Sequence, residues 1–209
     1  MDMKKRMKDA LILCLITIIA GIGLGAIYSI TKEPIAQANY EKTQDSYKEV
    51  LSDASEFIDL ESFDADAAEA AIAENGWDED NTIEGVVQAV DASGELLGYV
   101  ITVTSHAGYG GDITFSLGYL LDGTVTGYSI TTINETAGLG MKAKEEDFYS
   151  QFQNKQVEEF TVTKTGSTDE SEIDAISGST ITSRAVTNGV NAGICYAKYL
   201  IEQTGGVLE

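Results

Sequence analysis

The sequence predicts an α+β protein: a single N-terminal transmembrane helix, then one extracytoplasmic domain with a mostly antiparallel sheet and a long C-terminal helix. Three observations predict it. Residues 10–30 are apolar and uncharged, residues 84–133 alternate with a period of two, and residues 180–203 place apolar side chains at helical spacing.

The apolar run Ala10 to Ile30 is long enough, at 1.5 Å per residue, to cross roughly 30 Å of hydrocarbon. Lys4, Lys5, Arg6 and Lys8 precede it, which predicts a cytoplasmic N-terminus over residues 1–9. Two alternatives are weaker. Ala36-Gln37-Ala38 resembles a signal-cleavage site, but it lies too far beyond the apolar run. Leu11-Ile12-Leu13-Cys14 lacks the small residue that a lipoprotein site wants before its Cys. Gly21 and Gly25 stand four apart, a spacing that lets another membrane helix approach closely.

Residues 31–84 read as an acidic, helical connector. Pro34 fits the start of a helix that runs to about Asp53. Ala65–Ala73 fits a second helix, within a stretch from Asp53 to Asp80 that has 11 acids and no base. Asp78-Glu79-Asp80 lacks the glycine and the spacing of a calcium loop and reads as solvated surface.

The domain proper is expected over residues 85–209. Glu84–Asp91, Leu96–Ser105, Asp112–Leu121 and Thr124–Ile133 are rich in Val, Ile, Thr and Tyr and read as strands joined by short turns. Glu145–Phe152 reads as a short helix and Phe160–Lys164 as a further strand. Val186, Val190, Ile194, Ala197 and Ile201 mark the last helix, with Cys195 as a small hydrophobe within it.

Composition excludes several functions. There are 13 Lys and Arg against 34 Asp and Glu, a net charge of −21 that the nucleic-acid backbone would repel. Apolar residues make up 43%, too many for a disordered acidic tail. Two distant Cys and one His form no zinc, iron–sulfur or disulfide framework. A Ser-His-Asp triad would need the single His106 as its base, and no nucleophile elbow is present. Neither Gly-rich stretch has the spacing of a phosphate loop or of a dinucleotide fingerprint.

The informative stretch is Asp174-Ala175-Ile176-Ser177-Gly178-Ser179-Thr180-Ile181-Thr182-Ser183. Five hydroxyls crowd into its last seven residues, where a helix should begin. Unpaired N–H groups and the positive end of the helix dipole suit a phosphate there. Arg184 is the only guanidinium beyond residue 9 and could assist. An ordinary N-cap by Ser179 or Thr180 explains the same residues equally well.

Ser177-Gly178-Ser179-Thr180-Ile181-Thr182 resembles the S-G-A-T-x-T flavinylation motif of the RnfG family, the G subunits of Rnf complexes. The motif is found also in the related C subunits of sodium-pumping NADH:quinone oxidoreductases. Asn134-Glu135-Thr136-Ala137-Gly138-Leu139-Gly140 is similar to that family's E-T-P-G-L-G segment, Gly108–Gly111 to its G-Y-G-G, and Phe148, Gln151 and Phe152 to its F-x-x-Q-F. Ser179, Ala137 and Ile133 depart from the usual Ala, Pro and His.

The resemblance implies an FMN-binding domain whose FMN is joined to Thr182 by a phosphoester, placed there by a flavin transferase. It implies that Ser177, Gly178, Ser179, Thr180 and Ser183 hold the phosphate. Glu135, Thr136, Gly138, Leu139 and Gly140 would lie by the ring or its ribityl chain. No catalytic acid–base residue and no metal ligand is implied. The implied task is electron relay in the membrane, with the other members of the Rnf complex as partners, between reduced ferredoxin and NAD and coupled to Na⁺ or H⁺ movement. Two rivals are an anchored binding module without flavin and a free-standing tethered flavoprotein reductase.

Overall fold

Residues with a period of two and short polar turns between them form a meander, because each strand's nearest partner is its neighbour in sequence. The computed structural model describes residues 3–60 and 63–204. Its sheet comprises β1 (Glu56–Asp59), β2 (Asn81–Val90), β3 (Leu96–Ser105), β4 (Ile113–Leu120) and β5 (Val125–Thr132). They lie in the order β1-β2-β3-β4-β5 and every neighbouring pair is antiparallel. The four expected strands are β2 to β5.

Strand β1 is not expected from the acidic connector. Two of its four residues are acids, at its ends, so it carries little hydrophobic signal, yet Phe57 pairs with Ala89 and packs against Tyr47 in a tilted ring contact at 5.6 Å. The described chain divides into two compact units between Lys42 and Thr43. The expected boundary at 84/85 falls inside β2.

Helix α1 spans Met3–Val50 and is the one described helix long and apolar enough to cross a membrane. Its side chains from Leu11 to Ile30 are exposed, as lipid contact requires. Pro34 lies inside α1, not at the start of a separate helix. The apolar run before it already propagates the helix, and proline removes a single amide donor. The Thr31 hydroxyl donates to Ile27 O at 2.9 Å in the turn before it.

The last turns of α1 belong to the folded domain. Tyr47, Val50 and Leu51 bury against Val87, Ala89 and Val100 on one face of the sheet. The hydroxyls of Ser46 and Ser116 meet there at 2.7 Å, and the Thr126 hydroxyl donates to Val50 O at 2.5 Å. On the other face Ile101, Val103, Phe115 and Leu117 form the main core with the C-terminal helix (Thr180–Thr204). Helix α2 (Ala65–Ala73) packs on that helix and on β2 through Ala68, Ala71 and Ile72, and Asp64 caps it by accepting from Asp66 N and Ala67 N.

The chain between β5 and the C-terminal helix contains a 3₁₀ turn (Gly140–Lys144), α3 (Glu146–Tyr149) and a second 3₁₀ turn (Ser150–Phe152). A parallel pair follows, β6 (Thr161–Thr163) with β7 (Glu172–Asp174). Strand β7 lies at the end of a polar stretch too short to show a period. The C-terminal helix is α4. Its Cys195 is half-buried; the Asn75 amide donates to its Sγ at 3.2 Å, and burial raises its thiol pKa above the ordinary value.

Phe152 is the hub of an aromatic cluster, with Tyr128, Phe148 and Phe160 centred 5.2, 5.6 and 5.0 Å away. Phe152→Ala should lower the unfolding free energy by about 3–5 kcal/mol. Urea melts that place it within 1 kcal/mol of wild type would deny the cluster its structural weight.

Candidate functional site

The site is built where β7 turns into α4. Asp174 ends β7, and the Gln151 side chain grips both its backbone groups. Gln151 Oε1 accepts from Asp174 N at 2.7 Å, and Gln151 Nε2 donates to Asp174 O at 3.4 Å. Phe148 and Phe152, on either side of Gln151 in sequence, are buried. The F-x-x-Q-F segment thus fastens the approach to the helix.

Gly178 then takes φ +79°, a conformation that side chains disfavour, and reverses the chain. Ser183 braces this turn from within: its hydroxyl accepts from Ile176 N at 2.9 Å and donates to Ser179 O at 3.0 Å. Ser183 N bonds Ser179 O, but the first turn before it has spare donors. The N–H groups of Thr180, Ile181 and Thr182 have no acceptor among the described residues, and neither do the hydroxyls of Ser179, Thr180 and Thr182 bond any of them. Neither Ser179 nor Thr180 therefore supplies the side-chain N-cap. A helix of 25 residues directs its positive end at these free groups.

The second wall descends from β5. Thr136 O accepts from Leu139 N at 3.1 Å and from Met141 N at 3.2 Å, and Gly138 takes φ +74° in the turn they close. Tyr128 holds the following 3₁₀ turn by donating its hydroxyl to Ala143 O at 2.7 Å. Burial pushes the Tyr128 phenol well above its ordinary pKa, so it stays protonated and a donor. Gly140 reaches the floor. A Cβ there would stand 2.6 Å from Glu135 Oε2 and 2.7 Å from Thr182 Oγ1.

The third wall is the Gly108–Gly111 loop between β3 and β4. Gly110 N donates to Glu135 Oε1 at 3.2 Å, and Gly110 lies so close to Asn134 O that no side chain would fit. Tyr109 is the loop's only large side chain.

Together the walls enclose a cavity of about 530 Å³ with Thr182, 1% exposed, on its floor. Its rim holds Tyr109, Leu139 and Ile181 at 72%, 41% and 54% exposure. Ile58 is the one other large apolar side chain so exposed among the described residues from Thr43 onward. Free N–H donors at one end and apolar surface at the other suit a flat ring that carries a phosphate. A second cavity, of about 480 Å³, is lined by Glu74, Glu158, Glu159 and Glu202 against one cation, Lys198, which is paired with Glu158, so its net charge repels an anion.

Of the residues expected to touch a cofactor, Thr182, Gly178, Ser179, Thr180, Glu135, Thr136, Leu139 and Gly140 line the cavity. Ser177, Gly138 and Ser183 do not. Ser177 is a central residue of the turn that Ser179 N closes onto Ile176 O, but it lines a different surface, beside Gln151 and Asp174. Gly138 is exposed at the loop tip, and Ser183 is fully buried as the brace. Arg184 is exposed and does not line the cavity. Tyr109 and Ile181 join the walls without having been expected there, although both stand inside the G-Y-G-G and S-G-S-T-I-T segments.

Residues 108–194 match the FMN-binding domain family. The G subunit of the Na⁺-translocating ferredoxin:NAD⁺ oxidoreductase complex of Acetobacterium woodii is 35% identical over 92% of this chain and 92% of its own length. The chain belongs to the family of G subunits of ion-translocating oxidoreductase complexes. A second member, from the proton-translocating complex of Clostridium ljungdahlii, is 31% identical over 84% of this chain and 83% of its own. The crystal structure of NqrC from Shewanella oneidensis shares the fold. It has a TM-score of 0.51 and 18% identity, and the match covers 75% of this chain and 87% of that one.

Gly140→Ala and Gly138→Ala separate the two roles of glycine in the second wall. Gly138→Ala should cost about 1–2 kcal/mol from its positive φ alone. Gly140→Ala should cost about 1–3 kcal/mol through overpacking and should also reduce the FMN content of the purified protein. Urea melts and flavin absorbance check both, and equal flavin content in the two variants would contradict the assignment.

Proposed function

We propose that this chain carries FMN, joined by a phosphoester to Thr182, and relays electrons within an ion-translocating ferredoxin:NAD⁺ oxidoreductase complex of the Rnf type. The observation that carries this reading is the Thr182 hydroxyl, free of protein partners on the floor of a cavity at an open helix N-terminus. When bound, FMN supplies the redox chemistry, taking up two electrons and releasing them singly.

The chain's own residues bind and orient. The N–H groups of Thr180, Ile181 and Thr182 would face the phosphate oxygens, and the hydroxyls of Ser179 and Thr180 can donate to them. Tyr109, Leu139 and Ile181 would exclude water from the apolar part. The Glu135 carboxylate holds the Gly108–Gly111 loop in place instead of acting as an acid. Thr182 is 1% exposed and Gly140 lies beside its hydroxyl, so the cavity walls must open for a flavin transferase to reach it.

In this reading α1 anchors the domain in the membrane. The basic cluster Lys4, Lys5, Arg6 and Lys8 keeps the N-terminus in the cytoplasm, so the domain faces the opposite side. A covalent link prevents loss of the cofactor there by dilution. The partners are the other membrane subunits of the complex, which the names of the relatives imply.

The peptide from Thr165 to Arg184, released by trypsin, should carry the mass of one FMN when the chain is made with an active flavin transferase. Thr182→Val should abolish that mass and the in-gel fluorescence, and Thr182→Ser should retain both. An unmodified wild-type peptide overturns the proposal. Label persisting in Thr182→Val moves the attachment to Thr180 or Ser179.

A further inference from the structure

Tyr109 stands on a segment with little stiffness of its own. Residues 107–111 are Ala-Gly-Tyr-Gly-Gly, and Gly111 takes φ +120°. One hydrogen bond, Gly110 N to Glu135 Oε1, ties the loop tip to the opposite wall. The base of the loop is closed by side chains at the ends of three adjacent strands or just beyond them. His106, just past β3, places Nδ1 3.0 Å from Asp112 Oδ1, just before β4. Its Nε2 lies 3.0 Å from the Thr82 hydroxyl on β2, and its backbone N donates to Asp80 O at 2.8 Å. The carboxylate can only accept, so Nδ1–H donates to Asp112, and Nε2 shares a second hydrogen bond with the Thr82 hydroxyl.

The cluster is open to solvent, with His106 at 44% and Asp112 at 63% side-chain exposure. Exposed charge pairs add little to global stability. The position of this one matters more: Ser105 and Ile113 are the last ladder pair of β3 and β4, and the His106–Asp112 contact ties the next residue on each side, extending the hold on the loop one step beyond the sheet. Beyond that step the segment is rich in glycine, and without the tie it would sample more conformations.

We propose that His106 is a positioning residue: clamped between Asp112 and Thr82, it fixes the root of the Gly108–Gly111 loop and so holds Tyr109 against the cavity. The inference deepens the flavin reading and rests on it for its consequence, while the clamp itself is testable without flavin.

The test uses the full-length chain in detergent, with and without a co-expressed flavin transferase. In the flavin-free protein, His106→Ala and Asp112→Leu should speed hydrogen exchange at Gly110, the loop amide held by Glu135, by roughly tenfold, with the thermal midpoint unchanged. Asp112→Asn keeps an oxygen that accepts from Nδ1–H and should exchange as wild type. In the loaded protein, His106→Ala should change the visible circular dichroism of the flavin. That change should disappear in a Tyr109→Leu background, because the coupling runs through Tyr109.

Wild-type exchange in His106→Ala overturns the clamp, and so does Asp112→Asn behaving like Asp112→Leu. A dichroism change that persists in Tyr109→Leu overturns the route through Tyr109. A wild-type chain that takes up no flavin refutes the flavin reading instead, and leaves the exchange result to judge the clamp.

Discussion

The whole site depends on how deeply α4 sits on the sheet. Gly189 and Gly193 let it approach. A Cβ at Gly189 would stand 2.9 Å from Phe115 Cζ, and one at Gly193 would collide with Leu117 Cδ2. These two positions fix the height of the helix over β4 and the place of its first turn. The brace of Ser183 on Ile176 and Ser179 and the grip of Gln151 on Asp174 then set the direction from which the chain enters. A larger residue at either glycine would require the Phe115 ring or the Leu117 side chain to give way, or the helix to stand farther from β4.

Electrostatics explains why backbone, and not basic side chains, faces the proposed phosphate. The chain carries −21 overall, and no Lys or Arg occurs between Lys48 and Lys142. Arg184, the one guanidinium in the domain, is exposed beyond the cavity. Local positive potential therefore comes from aligned peptide dipoles, which act within a turn of the helix end and are not neutralised by distant acids. The four glutamates around the cavity beside Cys195, against the single Lys198, make that cavity unattractive to anions.

Much of the architecture is legible in the residues because it depends on local rules. Strands β2 to β5 follow from alternation, α4 from the spacing of Val186, Val190 and Ile194, and the site from hydroxyls crowded at a helix start beside a glycine. What escapes depends on tertiary pairing. Strand β1 has four residues and exists because β2 offers it a free edge, and β7 has three because β6 does. Pro34 reads as a beginning because a local rule does not register a helix already under way. Tyr109 and Ile181 belong to the cavity because three separate loops converge, a fact that no single motif contains.

The floor of the cavity has a consequence for the life of the molecule. In the proposed reading, a group esterified to Thr182, a side chain 1% exposed, is held by a covalent bond and cannot exchange with free cofactor. Damage to that group, by light or by oxygen, would be beyond repair in place. Recovery would require synthesis of a new polypeptide, so the turnover of the pigment would equal the turnover of the chain that bears it.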